Sequence, residues 1–115
     1  MPRFPKSRRL LKPVEFGEVK RRGVCARAGV VSVAWLGKDG VRRLGIVASR
    51  RAGNAVERNR LKRVIREFFR MEGCPFPMGD CVVVLAPGAG AFDNFRIRAD
   101  LGRALEKIKW FRSCA

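Results

Sequence analysis

The sequence contains no histidine and no tyrosine, and only ten acidic residues against 26 lysines and arginines. Without histidine the chain lacks the commonest general base and the commonest zinc ligand. Its four cysteines, Cys25, Cys74, Cys81 and Cys114, are irregularly spaced with no Cys-x-x-Cys pair, so a structural metal is not expected and the thiols read as reduced and mostly packed, with Cys114 exposed. The acids are scattered from Glu15 to Glu106, whereas a stand-alone metal-dependent nuclease needs clustered carboxylates to hold hard cations. Long apolar runs are also missing. Nothing approaches the ~18 residues of a membrane span, and the basic N-terminal stretch is followed by no signal-like apolar region, so the expected location is the cytoplasm.

What is present is positive charge. The formal net charge is +16 over 115 residues, with 47% apolar residues. That length suits one domain, 1–115, with a modest core. Self-repulsion at such charge opposes compaction, and the expected counterpart is a polyanion, most often nucleic acid.

Residues 1 to 9 hold two prolines and four basic groups and read as a loose basic tail. Pro13 opens a helix over about 13–22, ended by Arg21, Arg22 and Gly23. Extended segments follow at 24–28, 30–36 and 41–49. The Lys38-Asp39-Gly40 step predicts an antiparallel hairpin between the last two. Alternation sends Val31, Val33 and Trp35 one way and Val30, Ser32 and Ala34 the other. Gly45 reads as a strand glycine for close approach or a bulge, and Gly53 as a backbone requirement at a turn.

Asn54 and Glu57 make a variant capping box at the start of a helix over 54–71. "DCVVVLA" at 80–86 predicts a strand buried on both faces. A last helix over 94–110 aligns Leu101, Ala104, Leu105 and Ile108. The order is α-β-β-β-α-β-α, an α+β fold with one sheet and no internal repeat.

The segment 50–70, "RRAGNAVERNRLKRVIREFFR", carries eight basic side chains and two acids. On a helical projection Leu61, Val64, Ile65 and Phe68 share an apolar face; Asn59, Lys62, Arg63, Arg66 and Arg70 lie opposite, with Arg58 and Arg60 on the flanks. Phe68 and Phe69 are assigned to the core. A merely solvated face would alternate its charges to gain i,i+4 pairs. Here most of the cations have no local acid. Seven of the eight are arginine, whose planar fork grips phosphates and stacks on bases. RNA is favoured, because no zipper, zinc finger or helix-turn-helix pattern is present.

"GIVASRRAGNAVERNRLKRVIREFF" resembles the signature of the protein subunit of bacterial ribonuclease P: a strand ending in Ser and basic residues, Gly53-Asn54-Ala55-Val56, the Arg58-Asn59-Arg60 triplet, Lys62-Arg63 and Arg66-Glu67. "RRLLKPVEFGEV", "DCVVVLAP" and "FDNFRIRADLGRALEKIKW" extend the resemblance over nearly the whole chain; 1–7 and 71–79 match least. The resemblance implies a four-stranded sheet with a left-handed β-α-β crossover. It further implies assistance to a catalytic RNA that uses Mg2+ to remove the 5′ leader of precursor tRNA, with no cofactor bound by the protein itself.

By position, the resemblance assigns Arg50, Arg51, Asn54, Arg58, Asn59, Arg60, Lys62, Arg63 and Arg66 to contacts with the RNA subunit. It assigns a leader cleft to Phe16, with Lys20 standing where many relatives carry a second aromatic. Val33 fills the aromatic position on the sheet, and Trp35 lies two residues along the same face. A core role stays open for both Phe16 and Trp35. The competing classes are a ribosomal or other structural RNA binder, which would share charge and size without this motif, and a membrane-surface helix, which would not need the surrounding strands.

Overall fold

The computed structural model describes residues 13–38, 40, 42–70 and 76–114. The basic tail at 1–9, the turn residue Asp39 and Cys74 lie outside them, as does the side chain of Cys114. The element order is α1 (Pro13–Arg22), β1 (Val24–Ala28), β2 (Val31–Leu36), β3 (Arg42–Val47), α2 (Ala55–Arg70), β4 (Gly79–Leu85) and α3 (Asn94–Cys114). Short 3-10 turns at Arg50–Ala52 and Ala89–Ala91 precede α2 and α3. The expected α+β order is found, with boundaries shifted by a residue or two except at α3, which runs to Cys114.

Local chemistry explains the ends. Pro13 occupies the first helical position of α1, Glu15 sits in its first turn, and Lys20, Arg21 and Arg22 in its last, each sign complementing the helix dipole. The backbone N–H of Asn54 donates to Glu57 Oε1 at 2.9 Å while the N–H of Glu57 donates to Asn54 Oδ1 at 2.8 Å, a reciprocal capping box. Gly53 is extended, at φ 162°. Its requirement is therefore space: a Cβ there would stand 2.8 Å from Glu57 Oε1.

One pairing differs from expectation. The strand order is β1-β2-β4-β3, so β2 and β3 do not form a hairpin. Strand β4 lies between them, antiparallel to β2 and parallel to β3. Five of its seven residues, Cys81, Val82, Val83, Leu85 and Gly79, are buried apolar or glycine positions on both faces. A hairpin of β2 with β3 would leave such a strand at an edge, where one flank of its backbone goes unpaired. The tight antiparallel connection is instead β1–β2 through Gly29, at φ +57°. Gly45 pairs with Val82 in an unbroken register from 42 to 47, so no bulge is present.

The sheet has two unequal sides. On one, Val31, Val33, Leu44, Cys81, Val83 and Leu85 pack against Leu61, Ile65 and Phe69 of α2 and Ile97, Leu101, Leu105 and Ile108 of α3. On the other, Val19 of α1 packs on Ala34 and Val82, with Phe16, Leu36, Val47 and Val84 partly buried around them. Phe68, expected in the core, is only half-buried; Phe69 takes the buried position, and both make edge-to-face contacts with Phe76.

Candidate nucleic-acid interface

Helix α2 buries Leu61, Val64, Ile65 and Phe69, which fixes the opposite side toward solvent. Arg50, Arg51, Asn59 and Arg63 are exposed, Lys62 and Arg58 half-buried. Among the described residues no ion pair engages any of these cations, and the Arg58 Nε is buried without a hydrogen-bond partner. Arg66 is half-buried and, like Arg70, already interacts within the chain. The result is a face of arginine and lysine without ion pairs among the described residues, held on a capped helix and suited to phosphate oxygens.

Two residues of the expected RNA-facing set have other work. The Arg60 guanidinium turns inward, donating to Asn94 Oδ1 at 2.6 Å and to the carbonyls of Gly90 and Phe92 at 2.9 Å each. It clamps the segment before α3 onto α2, satisfying carbonyls at the end of a 3-10 turn. The carboxamide oxygen of Asn54 accepts the capping bond from Glu57. A helical projection cannot distinguish these roles, because the partners of Arg60 lie 30 to 34 residues away.

The expected leader-cleft set is split by the sheet. Phe16 lies on the α1 side with Leu36, Val47 and Val84, and Lys20 is exposed on the same helix. Val33 is 1% exposed inside the core formed with α2 and α3, and Trp35 packs against that same core. The Trp35 indole N–H donates to the Met78 carbonyl at 2.8 Å. Val33 and Trp35 therefore cannot line a cleft with Phe16. Strand parity groups Val33 with Trp35, but parity carries no information about which face α1 covers.

The side of the sheet facing α1 is organised by a charge cluster that composition did not single out. Asp80, buried at the start of β4, accepts from Arg43 Nε at 2.8 Å and Arg43 Nη2 at 2.9 Å, and pairs with Lys38 Nζ at 2.7 Å. The remaining Arg43 nitrogen reaches Glu15 of α1 at 2.9 Å. Burial pushes the Asp80 carboxyl up, but the bonds from Arg43 and Lys38 outweigh it and hold it below the usual carboxylate range. The bond to Asp80 in turn raises Arg43. Arg43 thus ties α1, and Phe16 with it, to the sheet.

A second cluster locks α3. Asp100 is buried, accepting from the Val30 N–H at 3.1 Å, from Arg96 Nε at 3.0 Å and from Arg103. Burial raises its carboxyl; the Val30 N–H and the two guanidiniums prevail and lower it. A Cβ on Gly29 would collide with that carboxylate, so glycine serves both the turn and the close approach. The sequence held a signal: position 100 falls on the buried stripe running through Ile97, Leu101 and Ala104. Among the described residues no three cysteine or acidic side chains converge as a metal site, and no helix is long and apolar enough to cross a membrane.

The sequence and the fold both have counterparts among known proteins. The family model for ribonuclease P matches residues 4–109. The chain is 36% identical to the ribonuclease P protein component of Desulforapulum autotrophicum, over 91% of this chain and 92% of that one. It is 41% identical to that of an Escherichia coli O139:H28 strain, over 96% and 91%. Among solved structures, the Staphylococcus aureus RNase P protein superposes with a TM-score of 0.79 at 28% identity, covering 88% of this chain and 94% of that chain. The Thermotoga maritima RNase P protein gives 0.73 at 32% identity, covering 87% and 96%.

Proposed function

The chain belongs to the ribonuclease P protein family, and from that premise we propose that it binds the catalytic RNA subunit through the outer face of α2 and the Arg50–Arg51 turn. The observation that carries this reading is the set of cations without ion-pair partners among the described residues, Arg50, Arg51, Arg58, Lys62 and Arg63, gathered on one capped helix and the turn before it. Their charge would offset repulsion between the RNA subunit and its RNA substrate, so that both polyanions approach at lower magnesium. Hydrolysis is assigned to the RNA and its Mg2+, and the product is tRNA with a mature 5′ end.

The 5′ leader of precursor tRNA is assigned to the side of the sheet facing α1, beside Phe16 and Lys20. A half-buried phenyl ring there offers a face for base stacking, which tolerates any sequence. Leu36, Val47 and Val84 surround it. Arg43 supports this cleft by fixing α1.

Cleavage of a 5′-labelled precursor tRNA at low magnesium, with protein alone, with a bacterial ribonuclease P RNA alone and with both, tests the assignment. Leader release that is absent or slow in the separate arms and fast in the combined one is the expected result. Absence of stimulation would point to a structural RNA binder, and cleavage by protein alone would place the chemistry in this chain.

A further inference from the structure

Phe95 is 80% exposed, the highest value among the exposed large apolar side chains of the described surface. It stands on the first turn of α3 at the rim of a depression lined also by Arg60, Gly90, Ala91, Phe92, Asp93 and Asn94. Its neighbour Phe92 is capped by the Arg96 guanidinium, 4.8 Å from the ring centroid. No ring or cation contact among the described residues covers Phe95 in the same way. One turn further along α3, Arg98 is exposed and has no ion pair among the described residues.

The other bank of the depression belongs to α2. At about 100° per residue, Val56 and Arg63 share the flank from which Arg60 reaches across to Asn94. Val56 is 78% exposed. The bank is also firmly seated: a Cβ on Gly90 would stand 2.9 Å from both the Glu57 Cβ and the Ala52 carbonyl, so the loop before α3 lies directly on the start of α2. An uncovered ring is thereby held at a fixed place by the Arg60 clamp, with Arg63 and Arg98 exposed and without ion pairs among the described residues.

We infer that Phe95 is a stacking platform for an unpaired base of the RNA subunit, whose backbone runs over Arg63 and Arg98. This rests on the reading of α2 as the RNA-binding face. An apolar ring amid this charge fits two kinds of surface, a base or a protein. A second copy of a +16 chain brings like charge to the same place and is disfavoured, whereas a nucleic acid supplies both the flat ring and the negative charge. In this arrangement Arg60 is a positioning residue, since its three hydrogen bonds set where α3 begins relative to α2.

The test measures binding of the full chain to a bacterial ribonuclease P RNA without precursor tRNA, at several salt concentrations, for Phe95→Ala, Phe95→Trp and Arg63→Ala. Phe95→Ala is expected to weaken binding by roughly five- to a hundredfold with an unchanged salt slope and melting temperature, and Phe95→Trp to retain the affinity. Arg63→Ala should flatten the slope. Unchanged affinity in Phe95→Ala alongside a loss in Arg63→Ala overturns the platform but leaves the α2 interface standing. No loss in either overturns both. A change in self-association of Phe95→Ala with unaltered RNA affinity would make the patch a contact between copies and overturn the inference, as would an affinity loss that tracks a fall in melting temperature.

Discussion

At the scale of single residues, the two buried carboxylates each join elements far apart along this highly charged chain. Asp100 closes the β1–β2 turn onto α3, and its removal would strand the Val30 N–H and two guanidiniums. Asp100→Ala should therefore cost about 1–3 kcal/mol of stability, measured by urea unfolding. The sign with pH follows from the lowered folded value. The carboxylate's contribution is complete well above the unfolded value of about 3.9 and is lost as pH falls from there through the folded value. Acidification below about pH 4 should accordingly destabilise the native chain more steeply than Asp100→Asn. Arg60 teaches a related lesson, since a residue of the proposed RNA-facing motif gives its hydrogen bonds to the Asn94 side chain and the Gly90 and Phe92 carbonyls.

At the scale of elements, α2 serves two sides at once, and the two can be separated by substitution. Arg63 is exposed, and Arg63→Ala should leave stability within about 0.5 kcal/mol while weakening RNA binding. Arg60→Ala should lose roughly 1.5–3 kcal/mol through its charged hydrogen bonds and loosen the 90–94 segment. Comparing thermal melts with amide exchange of residues 89–97 checks this; protection there unchanged by Arg60→Ala would contradict the clamp. Helix α1 depends on the sheet differently. Its apolar contact centres on Val19 against Ala34 and Val82, with Phe16, Leu36, Val47 and Val84 partly buried around them, and the Glu15–Arg43–Asp80 connection adds a polar tie to the sheet.

At the scale of the whole molecule, charge sets both affinity and its conditions. With about five phosphates neutralised by the free cations of 50–63, affinity for the RNA subunit should fall roughly one hundred- to five-hundredfold between ~50 and ~200 mM monovalent salt. Equilibrium binding across that range measures the slope, and a flat titration would contradict the electrostatic account. Because the chain has no histidine, no side chain of ordinary pKa has its midpoint between about pH 5 and 8, and the slope should be nearly constant from about pH 5.5 to 7.

The residue pattern by itself determined the order of elements, the apolar stripes of α2 and α3, the two-sided burial of β4 and the excess of cations on α2, because each is a matter of local period and composition. Only the tertiary structure decided that β4 enters between β2 and β3, since the Asp-Gly turn signal is local while pairing follows the burial that a wholly apolar strand demands. The tertiary structure alone also decided which face of the sheet lies under α1, separating Phe16 from Val33 and Trp35. The sequence marks which residues share a face, and packing decides what that face meets. The same holds for Arg60, Arg43 and Asp100, whose partners stand far along the chain. Charge and period are visible one residue at a time, whereas whether a cation is spent inside the fold or left for RNA depends on what folding brings beside it.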